Sequence, residues 1–266
     1  MHIAGLAIYP IKGCRGVSLS EIEVDRLGPV GDRRLMLVDE RNQFLSQREV
    51  PELATLVPAL DGDRIRVTGC DGAALTLDVD LDGPLRSVSV WAKEGLLAAD
   101  QGDQAAAWFT RALRLTCRLV AFGPSTINRV DPAYSPRPDA ETSFTDGYPI
   151  MAVVEESLDD LNRRLTEPVP MQRFRPSVVV SGTAAWSEDD WRVISLGEVI
   201  CDAVKPCARC VVITTDQLTG AQHPAQEPLR MLAGFRTIRG MGAIFGQNLV
   251  PRNTGILRVG DIVRST

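Results

Sequence analysis

Val17-Ser18-Leu19-Ser20-Glu21-Ile22-Glu23-Val24 alternates apolar and polar residues with a period of two. That pattern belongs to a strand with one face buried and the other in water. Working outward, residues 3–9 form another β-like run, closed by Pro10, and residues 34–39 form a compact apolar one. Runs at 65–68, 75–79 and 86–90 follow at the spacing of a sandwich or barrel. Asp61-Gly62-Asp63, Asp71-Gly72 and Asp82-Gly83-Pro84 supply the turns. Beyond residue 149 the chain is again β-rich, at 150–154, 177–181, 193–194, 199–204, 211–215 and 257–263. The connections are short, which favours antiparallel pairing. Helical spacing is confined to residues 103–113, 157–165 and 227–233. Residues 123–146, rich in Pro, Ser, Asp and Arg, read as a long loop near a domain boundary.

The composition sets limits on function. The chain has 266 residues, enough for one large or two small domains. Its 29 basic and 34 acidic residues give a net charge of −5, against the basic footprint of a nucleic-acid binder. No apolar run is long enough to span a membrane. Met1-His2-Ile3-Ala4-Gly5 does not open a secretory signal. These features point to a reducing cytoplasm, where six cysteines stay as thiols. Two histidines exclude chemistry that needs several imidazoles.

Cys14, Cys70, Cys117 and Cys201 stand alone and read as small hydrophobes. Cys207 and Cys210 form a close pair in Lys205-Pro206-Cys207-Ala208-Arg209-Cys210. A structural zinc site lacks further ligands at suitable spacing. A thioredoxin-like pair should open a helix, yet Cys210 leads into the β-branched run Val211-Val212-Ile213-Thr214-Thr215. Two readings remain open: plain structural thiols, or one thiolate at a strand edge, favoured by Lys205 and Arg209 and suited to a soft or high-valent metal.

The segment Val204-Lys205-Pro206-Cys207-Ala208-Arg209-Cys210-Val211-Val212-Ile213-Thr214-Thr215-Asp216, with Thr219-Gly220 after it, resembles the signature of MOSC domains. Phe174-Arg175-Pro176-Ser177-Val178-Val179-Val180-Ser181-Gly182 is similar to a second signature of that domain. Ile244-Phe245-Gly246-Gln247-Asn248 and Gly255-Ile256-Leu257-Arg258-Val259-Gly260-Asp261 are similar to its C-terminal part. Tyr9-Pro10-Ile11-Lys12-Gly13-Cys14-Arg15-Gly16 and Gly31-Asp32-Arg33-Arg34 resemble the β-barrel domain that precedes MOSC in the amidoxime-reducing family. The resemblance implies a mainly β (α+β) fold: two β-barrel-like domains, at 1–122 and 123–266, with a few short helices.

It also implies a molybdenum cofactor (Mo-molybdopterin) with Cys210 as catalytic metal ligand, and Cys207 as a neighbour. Lys12, Arg33 and Arg175 are the implied cofactor-phosphate contacts, and an Arg fork suits phosphate. Arg209 and Ala208 belong to the same implied set, as do Asp146, Gly147, Tyr148 and Ser177. Asp146-Gly147 taken alone is equally a turn. Gly13 stands where many members carry Ser, and Asn248 where mammalian members carry Tyr. The implied reaction is reduction of small N-hydroxylated compounds: amidoximes, hydroxylamines and N-hydroxylated bases. The sequence after Gly260 holds no four-cysteine cluster of the kind some relatives carry. Electrons are therefore expected from a separate flavin, iron–sulfur or haem protein. Asp32, Asp216 and Glu227 are candidates for proton delivery, and nothing in the sequence selects among them. The alternative function is a carrier of molybdenum cofactor or sulfur without reductase activity.

Overall fold

The computed structural model describes residues 1–62 and 64–266; Asp63, in the turn expected at 61–63, lies outside the described residues. The fold is mainly β with three short helices among the described residues: α1 (Gly102–Leu113), α2 (Glu155–Arg164) and α3 (Leu229–Phe235).

The largest sheet has nine strands. Its path runs Val263–Ser265, Val193–Leu196, Val199–Ala208, Gly242–Pro251, Ile150–Val154, Val178–Ser181, His2–Ile8 and Val17–Leu19, with Thr237–Ile238 set against Gly242–Pro251. Pairing is antiparallel except between Ile150–Val154 and Val178–Ser181, which α2 joins as a parallel crossover. A four-stranded sheet contains Leu35–Val38, Arg118–Ala121, Lys93–Asp100 and Leu85–Val90. Two three-stranded sheets complete the fold. One joins Gly255–Arg258 to Glu21–Asp25 and Gly28–Pro29, and the other is built from Val57–Asp61, Arg64–Thr68 and Ala74–Asp78.

The alternating stretch 17–24 is divided between two sheets. Val17–Leu19 pairs with His2–Ile8, while Glu21–Asp25 pairs with Gly255–Arg258. In the latter, Ile22 and Val24 are buried and Glu21 and Glu23 are exposed, as the period of two requires. Among the described residues no pairing joins the outer strands of the large sheet, so the barrel is open. The two ends instead meet through single bonds at the first strand, where Ile3 N donates to the Asp261 carbonyl at 2.9 Å and Val263 N to the Met1 carbonyl at 3.0 Å. The run 211–215, expected as a strand, is instead a 3₁₀ turn over Val211–Thr214. Tertiary packing overrides β propensity here: Ile213 is buried with Phe174 and Phe245, and Thr214 Oγ1 donates to the Val211 carbonyl at 2.8 Å. Residues 123–146 form no named strand or helix but are tied down. Val130 N donates to the Ala140 carbonyl at 2.8 Å, Asn128 Nδ2 to the Ser143 carbonyl at 2.7 Å, and Val130 packs on Val250.

Apolar side chains gather on both sides of the large sheet. Ile3, Leu6, Ile150, Val178 and Leu249 form one core. Val153, Leu161, Phe174, Ile213 and Phe245 form another beneath α2 and α3, where the Phe174 and Phe245 rings stack at 3.9 Å. Gly246 follows Phe245 with φ +81; a Cβ there would lie 2.7 Å from Val153 Cγ2 and 2.8 Å from the Ala152 carbonyl oxygen. Gly246→Ala is expected to cost about 2 kcal/mol, from a strained φ plus the backbone clash. Equilibrium denaturation would measure it, and an unchanged midpoint would contradict the argument.

One carboxyl is buried in this region. Glu188 has no exposed surface; it accepts from Ser157 Oγ at 2.8 Å and faces Val154 N at 3.5 Å. Burial, with a contribution from Asp189, pushes its pKa up to about 7 from an ordinary 4.5. The folded state therefore holds this proton more tightly than the unfolded chain. The resulting stability is full below about 4.5 and is lost as pH rises through about 7. Melting temperatures measured from pH 5 to 8 should fall with pH for the wild type and fall less for Glu188→Gln. Parallel curves for the two proteins would rule the effect out.

Candidate functional site

The two N-terminal motifs lie side by side because their backbones are hydrogen-bonded. Arg33 N donates to the Tyr9 carbonyl at 2.9 Å, Leu35 N to Pro10 at 3.0 Å, and Lys12 N to Leu35 at 2.8 Å. This brings Lys12 and Arg33 to one place. The third motif arrives through the large sheet: Leu6 pairs with Val178, so the segment before Val178 meets the segment after Ile8. Tyr9 Oη donates to the Pro176 carbonyl at 3.2 Å and Arg33 Nη2 to the Arg175 carbonyl at 3.3 Å.

Arg33 and Arg175 both have positive φ, 48° and 57°, in the left-handed region that bulky residues rarely enter. Buried Asp32 pairs with Arg33 at 2.5 Å and accepts from Tyr9 N at 2.7 Å. Burial works against the Arg33 charge, but Asp32 and Tyr9 more than offset it, and its pKa is raised. Arg175 has no such carboxylate. Among the described residues its side-chain partner is Gln217 Oε1 at 3.0 Å, and burial lowers its pKa to about 10. Lys12 is 8% exposed and forms an ion pair with Asp146, which also accepts from Trp91 Nε1 at 2.9 Å. Desolvation lowers the Lys12 pKa against the pull of Asp146. Desolvation also opposes the charge on Asp146, but Lys12, the Trp91 N–H and Arg33 hold its carboxyl well below the usual range.

The cysteine pair sits where the long strand Val199–Ala208 ends. Bulges between Ala203 and Lys205 and between Pro206 and Ala208 interrupt its pairing with Gly242–Pro251. Pro206 cannot donate to the ladder, and bulges re-aim side chains. Arg209 N donates to the Ala243 carbonyl at 2.7 Å, its Nη2 to the Phe174 carbonyl at 2.6 Å, and its Nη1 contacts Cys207 Sγ at 3.0 Å. Cys210 follows in extended backbone, φ −126 and ψ −179, immediately before the 3₁₀ turn.

These segments surround one cleft of about 300 Å³. Lys12, Gly13, Arg33 and Arg175 line it from one side, Asp146, Gly147 and Tyr148 from the loop before Ile150, and Ala208, Arg209, Cys210 and Asn248 from the large sheet. Ser177 does not line it. It is buried behind the wall, 3.4 Å from Arg33 Nη1. None of the three carboxylates considered for proton delivery lines the cleft: Asp32 is bound to Arg33, Asp216 to Arg173 at 2.9 Å, and Glu227 to Arg230 at 2.7 Å.

Sequence reasoning missed the other wall. Trp91 lines the cleft beside Phe44, with ring centroids 4.6 Å apart, and Arg48 lies 4.3 Å over the Trp91 ring. Its sequence signal is a large aromatic directly after the strand-like run 86–90. Cys14, Cys117 and Cys201 are buried thiols, with pKa values that burial raises to about 12, 11 and 12, whereas Cys70, expected among them, is exposed in a turn. Cys207 and Cys210 are half-exposed at the cleft. Among the described residues no group of three or more His, Cys, Asp and Glu side chains lies together. Among the described residues no helix is long and apolar enough to cross a membrane.

Residues 1–115 match the family described as the MOSC N-terminal beta barrel domain, and residues 139–264 match the MOSC domain. Mitochondrial amidoxime-reducing component 1 of Mus musculus is 32% identical over 277 residues, covering 98% of this chain and 81% of that protein. The protein of the same name from Homo sapiens is 32% identical over 282 residues, covering 98% and 82%. Mitochondrial amidoxime reducing component 2 of Rattus norvegicus is 33% identical over 274 residues, covering 96% and 80%. The motifs that meet at the cleft thus lie within two matched domains in their expected order, and the chain belongs to the MOSC-domain family that includes the amidoxime-reducing components.

Proposed function

We propose that this protein is an oxidoreductase that binds the molybdenum cofactor and reduces small N-hydroxylated compounds with electrons from a separate flavin, iron–sulfur or haem protein. The observation that carries the reading is the meeting of the Cys207–Cys210 pair with Lys12, Arg33 and Arg175 in a single cleft. The names of the relatives support the reaction class. The family matches leave residues 116–138 between them, which supports a division near residue 122. Six unpaired cysteines support a reducing compartment, for which we propose the cytoplasm, while the relatives are mitochondrial by name.

The donor set fits the cofactor. Arg175 is a cation with no carboxylate partner among the described residues, and Arg209 Nε is buried without a hydrogen-bond acceptor. Both arrangements suit an added anion. Lys12, Arg33 and Arg175 would hold the phosphate. A Cβ on Gly147 would meet nothing within 4 Å, so that backbone faces open space and accommodates close approach of a flat pterin. The Cys210 thiolate would hold the metal. Bound there, the cofactor supplies two-electron redox chemistry, and the protein supplies orientation and electrostatics.

The remaining roles fall to the chain itself. Tyr148 and Asn248 line the cleft and would contact the cofactor, with Lys205 beside them; the Lys205 ammonium sits 3.8 Å over the Tyr134 ring. Asp146, held ionised, offers negative charge and no proton.

Protein made in a host that synthesises the cofactor should contain molybdenum. Cys210→Ala should lose at least about tenfold of it, while Cys207→Ala keeps it. Undiminished metal in Cys210→Ala would overturn the ligand assignment. The loaded protein should reduce benzamidoxime with a reduced viologen dye and should not turn over with NADH alone. A molybdenum-loaded sample inactive with the dye would favour the carrier function instead.

A further inference from the structure

We propose that Tyr9 is the positioning residue of the anion site: its ring, held between the guanidinium groups of Arg33 and Arg175, sets the spacing and aim of both. The proposal rests on the reading that these two arginines hold the cofactor phosphate. The Arg33 guanidinium lies 4.3 Å from the Tyr9 ring centroid and that of Arg175 lies 4.2 Å from it. Two like charges that converge on one anion repel each other before it arrives. Asp32 neutralises Arg33, but no carboxylate does the same for Arg175 among the described residues. The aromatic ring offers negative π density to each cation, and burial strengthens that attraction.

The ring itself is fixed. Tyr9 is 3% exposed, its hydroxyl donates to the Pro176 carbonyl, and its backbone is bonded on both sides, to Asp32 and to Arg33. Gly16 closes the cage: a Cβ there would lie 2.5 Å from Tyr9 Cε1, so only glycine leaves room for the ring. Both arginines hold a left-handed backbone that their side chains disfavour, so the surroundings must impose it. Tyr9 touches each of them and the backbone between Arg175 and Ser177.

The test uses full-length protein free of cofactor and inorganic phosphate as the probe, with binding measured by calorimetry. Tyr9→Phe keeps the ring and should bind phosphate within about twofold of wild type. Phenylalanines carrying one to five fluorines at position 9 keep the shape while draining the π face. Phosphate Kd should then rise stepwise, reaching about tenfold for the fully fluorinated ring. A purely structural role would leave Kd flat across the fluorine series, and that result would overturn the proposal while leaving the anion site intact. Should wild-type binding be absent, or survive unchanged in Arg175→Ala, the phosphate reading falls and the role of Tyr9 with it.

Discussion

The antiparallel pairing of His2–Ile8 with Val178–Ser181 is the constraint on which the site depends. Leu6 lies opposite Val178. Continued three residues further, that register sets position 9 opposite position 175. The strand is therefore a ruler that delivers Tyr9 to Arg175, and Tyr9 in turn carries Lys12 and Arg33 through the hydrogen bonds of its flanking backbone. A slip of one residue would move every side chain of the first strand to the opposite face and separate the three cations. The same interlock recurs at the other end of the chain, where Gly255–Arg258 pairs with Glu21–Asp25.

The electrostatics of the cleft run against those of the molecule. The chain carries a net charge of −5, yet Lys12, Arg33, Arg175 and Arg209 converge on one cleft with Asp146 as the acidic residue lining it. Such convergence is costly without compensation. Asp32, Asp146 and the Tyr9 ring each provide part of it. The cations are thereby held without being fully neutralised, which leaves the cleft a local positive potential.

The β architecture was legible because burial on one face leaves a period of two, as at Ile22 and Val24. The three helices were legible to within a few residues for the same reason at a different period. The turn at Val211–Thr214 was not, since local β-branched propensity says nothing about Ile213 being drawn into a core with Phe174 and Phe245. Open rather than closed sheets were equally invisible, because closure depends on which distant edges meet. At the cleft, the basic residues and the thiol were legible through the family motifs that contain them. Trp91 and Arg48 were not, because a hairpin tip and an exposed arginine leave no periodic trace. Ser177 stood in a motif but faces inward, a difference of orientation that spacing alone does not encode.

The pairing of residue 2 with residue 181 also fixes an order of assembly. During synthesis the first strand waits about 180 further residues for Val178–Ser181, its partner on the other edge. At 5–20 residues per second that wait lasts roughly 9–36 s. Throughout it Ile3, Leu6 and Ile8, which end up buried, have the three-residue strand Val17–Leu19 to pair with and no second sheet neighbour. The cleft cannot be completed from the N-terminal half alone, because Arg175, Cys210 and Asn248 are still to come. A chain built this way has many long-range contacts and is expected to fold slowly. It leaves the newborn N-terminus a natural client for chaperones that shield exposed strands.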